Sequence, residues 1–150
     1  MAKPVTSAFH EFVLEVETDT PGTFAKICGI TGRTVNRTIN VEETEVPADC
    51  DDESLGTVIE LTPRSASVGV SGTAVWAAQS HEMMMDWWYS KARKNIRIAH
   101  VNAAVGDTEY ETGLAYLTDL NDSAEIGAGK VQREIEIRFD GLPTRTAKAA

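Results

Sequence analysis

The chain has 150 residues, of which 42% are hydrophobic and 25% are charged; this balance is typical of one globular domain and excludes a disordered or fibrous chain. Its formal net charge of −9 argues against a protein that grips nucleic acid through the phosphates. No apolar run approaches the roughly 18 residues of a membrane helix, and residues 1–6 carry no apolar stretch, so we expect neither a membrane span nor a secretory signal.

Most of the chain alternates apolar and polar side chains with a period of two, which predicts β-strands that bury one face. The predicted strands are residues 11–17, 24–28, 34–41, 57–61, 65–76, 96–101, 110–120 and 132–139. Many short strands separated by turns predict a mainly β fold, with two packed antiparallel sheets in a sandwich or barrel.

An acidic segment lies between two of these strands. Seven of residues 42–53 are acidic and none is basic, whereas the other 138 residues carry 16 acidic and 14 basic side chains. The seven acidic residues are Glu42, Glu43, Glu45, Asp49, Asp51, Asp52 and Glu53. Apolar side chains are few here, so residues 42–56 are predicted to form a long solvated loop.

The acidic segment also resembles a calcium-binding loop in one respect. Asp49, Asp51 and Glu53 alternate as loop ligands do. The sixth place from Asp49 is not Gly, however, and no pair of helices is predicted around the segment. These departures favour a solvated loop over a calcium site.

Residues 80–94 break the alternation and are predicted to form a single helix that flanks the sheets. Ser80 is a suitable N-cap. Lys91, Arg93 and Lys94 would lie in the last turn, where the helix dipole favours cations.

The apolar arc of this predicted helix is wider than contact with one sheet requires. In one interpretation the helix fills the open side of the sandwich. In the other, part of the arc faces a neighbouring subunit, because Trp and Met are enriched at such interfaces. Both interpretations stay open, and the second assigns Met84, Trp87 and Trp88 to a subunit interface.

No catalytic motif is complete. Met85 stands where a metalloprotease helix that begins at His81 would need its second His. Ser71 lies within a predicted strand instead of at the strand-to-helix turn of a nucleophile elbow. Cys28 and Cys50 are too few for a secreted disulfide scaffold, which favours two free thiols. We therefore expect no enzymatic activity, no cofactor and no metal site.

The order of these features resembles the major tail tube proteins of long-tailed bacteriophages and related gene transfer agents. The most specific segments are Pro-x-x-Cys-Asp-Asp at residues 47–52 and Phe-Asp-Gly-x-Pro-Thr at residues 139–144. A long strand rich in Ser and Gly at 65–76, followed by one helix, adds to the similarity. The resemblance covers roughly residues 8–146.

This resemblance implies a structural virion protein with a single tail-tube-like domain over residues 1–150 and flexible tails at 1–8 and 144–150. Members of the family self-assemble into hexameric rings that stack into a hollow tube. DNA passes through the tube without specific binding. The resemblance further implies tape-measure, tail terminator and tail-tip proteins as partners, no membrane, and assembly in the bacterial cytoplasm.

The resemblance also assigns roles to surfaces. The long loop of the family reaches the next ring, so the seven acidic residues become candidates for ring stacking. Their mutual repulsion predicts a loop that is disordered in the free subunit and orders on stacking. Because a DNA conduit should repel phosphates, Glu134, Glu136 and the Ser/Thr row within 65–73 are candidates for the lumen lining.

Two alternatives stay open from the sequence. One is the tube protein of a contractile secretion system, which shares the fold and the rings but encloses proteins. The other is a soluble β-sandwich binding module whose acidic loop takes a cation or a basic partner.

Overall fold

The computed structural model describes residues 2–127 and 129–150, which are mainly β. The elements in chain order are β1 (Phe12–Glu17), β2 (Phe24–Lys26), β3 (Ile30–Pro47), β4 (Thr57–Val75), α1 (Ala78–Ser90), β5 (Lys94–His100), β6 (Thr108–Ser123), β7 (Gln132–Phe139) and β8 (Thr144–Ala147). Short 3₁₀ turns cover Phe9–Glu11 and Glu53–Leu55.

The strands form one antiparallel sheet in place of the two predicted sheets. Its order is β2-β1-β5-β6-β7-β4-β3, and β8 also pairs with β6. The first half of β6 pairs with β5, where Thr112 lies opposite Arg97. Its second half pairs with β7, where Asn121 lies opposite Glu134. The two layers expected from the sequence are therefore two halves of one sheet that share β6.

The core lies between these two halves. The β1–β5 half contributes Leu14, Val16, Ile96 and Ile98, and the β4–β7 half contributes Val68, Val70, Ile135 and Ile137. These are the apolar members of the period-two alternation, so the pattern correctly identifies which strand faces are buried.

Helix α1 is shorter than the predicted helix at 80–94. Ala77 is its N-cap, and Ser80 is buried in the first turn. Lys91 adopts a left-handed conformation with φ of 56°, which ends the helix before the remaining basic residues. The cations predicted for the last turn thus lie beyond the helix. The described residues include no helix long and apolar enough to cross a lipid bilayer.

The buried side of α1 closes the core. Met84 and Trp87 are each 1% exposed, and the indole Nε1 of Trp87 donates a hydrogen bond of 2.9 Å to the carbonyl of Ala92. The helix fills the open side of the folded sheet, as the first interpretation holds. Met84 and Trp87 are consequently unavailable as surface residues, which corrects their assignment to a subunit interface.

The acidic segment is a hairpin and not a long loop. Residues 42–47 belong to β3, and Val46 lies opposite Val58 of β4. Only the tip between Pro47 and Thr57 is a turn, which the backbone hydrogen bond from Ala48 to Gly56 closes at 3.1 Å. Most of the residues that the charge pattern assigns to a loop are therefore paired in strands.

The chain ends also have partners. Residues 144–147, expected within a C-terminal tail, form β8, and Thr144 lies opposite Thr112 of β6. Near the other end, the Asn102 amide donates a 3.0 Å hydrogen bond to the carbonyl of Thr6. Met1, at the start of the expected N-terminal tail, lies outside the described residues.

Candidate assembly surfaces

The β3–β4 hairpin extends well beyond the core, and we call residues 41–64 the arm. Every arm residue is exposed except Val46, which is half-buried. At about 3.3 Å per residue, the paired strands carry the tip on the order of 20 Å beyond Asn40. A two-stranded hairpin without a core of its own is at best marginally stable in water, so the arm calls for a partner surface.

A β-bulge at Arg64 determines which side chains share a face of the arm. Asn40 lies opposite Ser65 and Val41 opposite Pro63, so Arg64 has no opposite residue on β3. One extra residue in a strand moves each side chain beyond it to the opposite face of the sheet. The Arg64 side chain forms an ion pair with Glu42, in which Nη2 of Arg64 lies 2.6 Å from Oε2 of Glu42.

Because of this bulge, several exposed apolar side chains at the base of the arm and within it continue the core-facing side of the sheet, whereas Val46 and Val58 lie on the other side. Ile39 and Val41 follow on β3, and Ile59 and Leu61 follow on β4. Their exposed fractions are 64%, 47%, 60% and 60%. Exposed apolar side chains clustered in this way on a projecting element mark a contact with another molecule.

The structure distributes the seven acidic residues over three places. Glu43 and Glu45 lie on the apolar face of the arm, opposite Leu61 and Ile59. Glu42 lies on the other face with Arg64. The remaining four, Asp49, Asp51, Asp52 and Glu53, lie at the tip.

Local hydrogen bonds shape the acidic tip. The Asp49 carboxylate accepts the Asp51 N–H at 2.9 Å. The Asp52 carboxylate accepts hydrogen bonds from the hydroxyl and from the backbone N–H of Ser54. The bond from the hydroxyl lowers the pKa of Asp52 most, and the bond from the N–H lowers it further. The charges at the tip are thus held in a turn of defined shape.

A second surface is the polar side of β3, β4, β7 and the second half of β6, which we call the inner face. Glu134 lies opposite Thr73, and Glu136 lies opposite Ser71. These residues surround an open hollow of about 330 Å³. The predicted lumen residues are therefore brought together on one surface.

The inner face holds acidic charge that the sequence pattern missed. Asp119 lies opposite Glu136, with a register shift between Leu117 and Asp119. Because of this irregularity at Thr118, the alternation of the sequence does not show on which face of the sheet Asp119 lies. The hydrogen bond with Asp119, followed by desolvation and the charge of Asp119, raises the pKa of Glu136.

The four strands that carry the inner face, which we call the inner sheet, have two edges without a strand partner in the described part of the chain. One is β3, the last strand of the sheet order. The other is the second half of β6, because β5 pairs only as far as Ala115. Open edges of this length invite pairing with another strand.

The exposed side of α1 offers a small aromatic surface. Trp88 is 40% exposed, and its indole Nε1 donates to the carbonyl of Thr118 at 3.4 Å. Tyr89 is 69% exposed and packs edge-to-face on Trp88. Of the three helix residues assigned to an interface, only Trp88 reaches the surface. Tyr89, its neighbour, was missed.

An ion pair between the buried Glu111 and the half-exposed Arg37 links the base of the arm to the opposite half of the sheet. Glu111 of β6 is 6% exposed and accepts two hydrogen bonds from the guanidinium of Arg37 on β3. His100 Nε2 lies 3.3 Å from the same carboxylate. Burial raises the pKa of Glu111, but the hydrogen bonds and charges of Arg37 and His100 outweigh burial and leave it lowered.

We expect Glu111→Gln to lower the free energy of unfolding by about 1.5–3 kcal/mol at pH 7, as for a hydrogen bond to a charged group. Because the pKa is lowered in the folded state, the contribution of Glu111 is present above the unfolded pKa of about 4.3 and is lost as the pH falls below it. Urea unfolding of both proteins from pH 7 to pH 3 measures the difference. Glu60→Gln, on the exposed arm, is the control; a difference between wild type and Glu111→Gln that does not shrink with falling pH would contradict the assignment.

No group of three or more His, Cys, Asp or Glu side chains that could hold a metal ion occurs within residues 2–127 and 129–150. Cys28 and Cys50 are exposed free thiols.

Residues 6–145 match a family model described as "Phage tail tube protein". No curated protein matches the sequence significantly.

Solved structures with the same fold come from several assemblies. A chain of the tail of an empty GTA particle, determined with C6 symmetry, has a TM-score of 0.78 at 14% identity, over 95% of this chain and 100% of that chain. A chain of the SPP1 tail tube has a TM-score of 0.66 at 13% identity, over 95% of this chain and 80% of that chain. A chain of the anti-feeding prophage baseplate has a TM-score of 0.62 at 12% identity, over 98% of both chains. At these identities the likeness shows a shared fold.

Proposed function

This chain belongs to the phage tail tube protein family and is a structural component of a virion tail tube, and from that premise we propose that six copies close into a ring, that the rings stack into a hollow tube, and that DNA is delivered through it. The four-stranded inner sheet with two open edges is the observation that carries the proposal. The C6 symmetry of the similar gene transfer agent tail supports the number six.

Ring closure would pair the two open edges. The β3 edge of one subunit meets the second half of β6 in the next, and six such contacts close the inner sheets into one barrel. Closure removes every open edge of the inner sheet, which a single subunit leaves uncovered. Trp88 and Tyr89 lie beside the β6 edge, because Trp88 contacts Thr118, and would contact the neighbour there.

The inner face then lines the lumen. Asp119, Glu134 and Glu136 outnumber Arg138, which lies beside Glu136 on the same face, and the Ser and Thr side chains between them are neutral. Phosphates are repelled by such a wall, so DNA slides past without being held. This chemistry suits a conduit and not a binding site for nucleic acid.

The arm would connect one ring to the next. Its tip projects beyond the body, and the seven acidic residues of positions 42–53, together with the face that carries Ile59 and Leu61, would meet the adjacent ring. Tape-measure, tail terminator and tail-tip proteins would be the further partners, with assembly in the bacterial cytoplasm.

Electron microscopy of the purified chain, at rising concentration and falling ionic strength, tests this function. We expect hollow tubes with sixfold symmetry, and a reconstruction in which Glu134 and Glu136 face the lumen. Dispersed monomers at every concentration would contradict self-assembly. Tubes with the inner face turned outward would contradict the assignment of the lumen.

A further inference from the structure

Four side chains join the first turn of α1 to the end of the inner sheet that is opposite the arm. His81 lies in the first turn of α1, and Trp76 directly follows β4. Arg133 of β7 lies opposite Asp122 of β6. We call these four residues the clamp, because they connect the helix to three strands of the sheet.

Hydrogen bonds within the clamp determine the protonation state of His81. The indole Nε1 of Trp76 donates to Nδ1 of His81 at 3.0 Å, and Nη2 of Arg133 lies 3.1 Å from the same nitrogen. Indole and guanidinium nitrogens donate hydrogen bonds and do not accept them. Nδ1 therefore accepts both bonds, so the imidazole is neutral and carries its proton on Nε2.

The surroundings of His81 disfavour a second proton on the ring. Arg133 is 3% exposed, and its Nη2 would face an imidazolium across 3.1 Å. The first turn of α1 holds no acidic residue, and the helix dipole disfavours a cation at this end. Glu82, the next residue of the helix, is exposed to solvent.

The carboxylate of Asp122 also faces the clamp, but Arg133 engages both of its oxygens. Nε of Arg133 donates to one oxygen at 2.6 Å, and Nη2 donates to the other at 3.1 Å. These bonds hold the pKa of Asp122 below its ordinary value. Nη1 of Arg133 is buried without a hydrogen-bond partner among the described residues. Protonation of His81 would remove one more partner from this buried guanidinium.

We propose that the clamp is a pH-sensitive switch, in which neutral His81 ties α1 to the β6–β7 hairpin and a proton on Nδ1 releases it. Imidazoles take up a proton between about pH 5 and pH 8. The unfolded chain binds this proton, whereas the closed clamp excludes it. The free energy of unfolding therefore falls as the pH falls through this range.

Release of the clamp would reach the open edge of β6. Helix α1 packs along the second half of β6, and His81 is linked there to Asp122 through Arg133. Further along the helix, Trp88 donates to the carbonyl of Thr118. Release removes the first of these two attachments, so acid would loosen the edge that ring closure uses. This consequence rests on the proposed function, whereas the clamp itself does not.

Urea unfolding of the wild type and of His81→Asn at pH 7.5 and at pH 5.5 tests the clamp. The carbonyl oxygen of Asn can accept the two hydrogen bonds but takes up no proton. Over this range we expect the unfolding equilibrium constant of the wild type to rise about fivefold more than that of the variant. The rings of His81 and Trp76 lie 4.9 Å apart, and loss of this packing affects the variant equally at both pH values.

His10→Asn is the matched control, because His10 is exposed and lies outside the clamp. This variant should keep the pH dependence of the wild type. Equal pH dependence of the wild type and His81→Asn would overturn the proposal.

Long-range ¹H–¹⁵N NMR spectra of the wild-type chain give a test that needs no variant. We expect the proton of His81 on Nε2 at pH 7.5, and we expect the indole N–H signal of Trp76 to shift on acidification to pH 5.5. A proton on Nδ1 at pH 7.5, or an indole signal that stays in place, would contradict the switch.

Transfer of assembled tubes from pH 7.5 to pH 5.5 tests the consequence for ring closure. Tubes of the wild type should dissociate, whereas tubes of His81→Asn should persist. Equal dissociation of both would overturn the link to the β6 edge and leave the clamp to the unfolding result. Absence of tubes from both chains at pH 7.5 would instead contradict the proposed function.

Discussion

Replacement of the arm by a two-residue turn should leave a folded subunit that forms no tubes. Asn40 and Ser65 lie directly opposite each other, so an Asn-Gly turn can join them in place of residues 41–64. The removed residues contribute no buried side chain to the core. We expect the free energy of unfolding to change by no more than about 1 kcal/mol and tube formation to be lost completely.

Circular dichroism with urea unfolding measures the free energy of unfolding, and electron microscopy measures tube formation. Glu60→Gln is the matched control, because it keeps the arm and alters a carboxylate outside the seven acidic residues. Tubes of normal length from the armless chain would contradict the role of the arm in stacking. A large loss of stability would contradict its separation from the core.

Trp87→Ala should lower the free energy of unfolding by about 3–5 kcal/mol, the cost of emptying a large core site. Trp87 is 1% exposed and also donates a hydrogen bond to Ala92. Its neighbour Trp88 is 40% exposed, so Trp88→Ala should cost about 1 kcal/mol yet reduce assembly. Urea unfolding and tube counts from micrographs compare the two variants.

Because these tryptophans are adjacent in the chain, each variant controls for the other. Equal losses of stability would contradict the assignment of one side chain to the core and the other to the surface. Normal assembly of the Trp88→Ala chain would remove Trp88 from the proposed interface.

The alternation in the sequence predicts which strand faces are buried, because side chains of a strand point to opposite sides in turn. It fails where the alternation shifts by one residue. The bulge at Arg64 separates 57–61 from 65–76, so one long strand, β4, reads as two. The shift at Thr118 likewise conceals Asp119 on the inner face. The family resemblance supplies the fold and the role, which alternation alone does not.

The helix shows a different limit of sequence reasoning. Positions 84, 87 and 88 lie on one side of any α-helix, since residues three and four apart are neighbours. That spacing groups Trp87 with Trp88 but does not decide which of them points inward. The charge of the acidic segment likewise predicts a loop, whereas pairing with β4 determines its structure.

The bulge at Arg64 has a consequence for how related arms diversify. Insertion or deletion of a single residue in either strand would turn the apolar side of the arm by half a revolution and face Ile59 and Leu61 away from the neighbour. Insertion or deletion of two residues per strand keeps Ile59 and Leu61 on the same face of the arm. Evolution of arm length in this lineage should therefore proceed in paired steps, so that tubes with different axial spacing arise without redesign of the body.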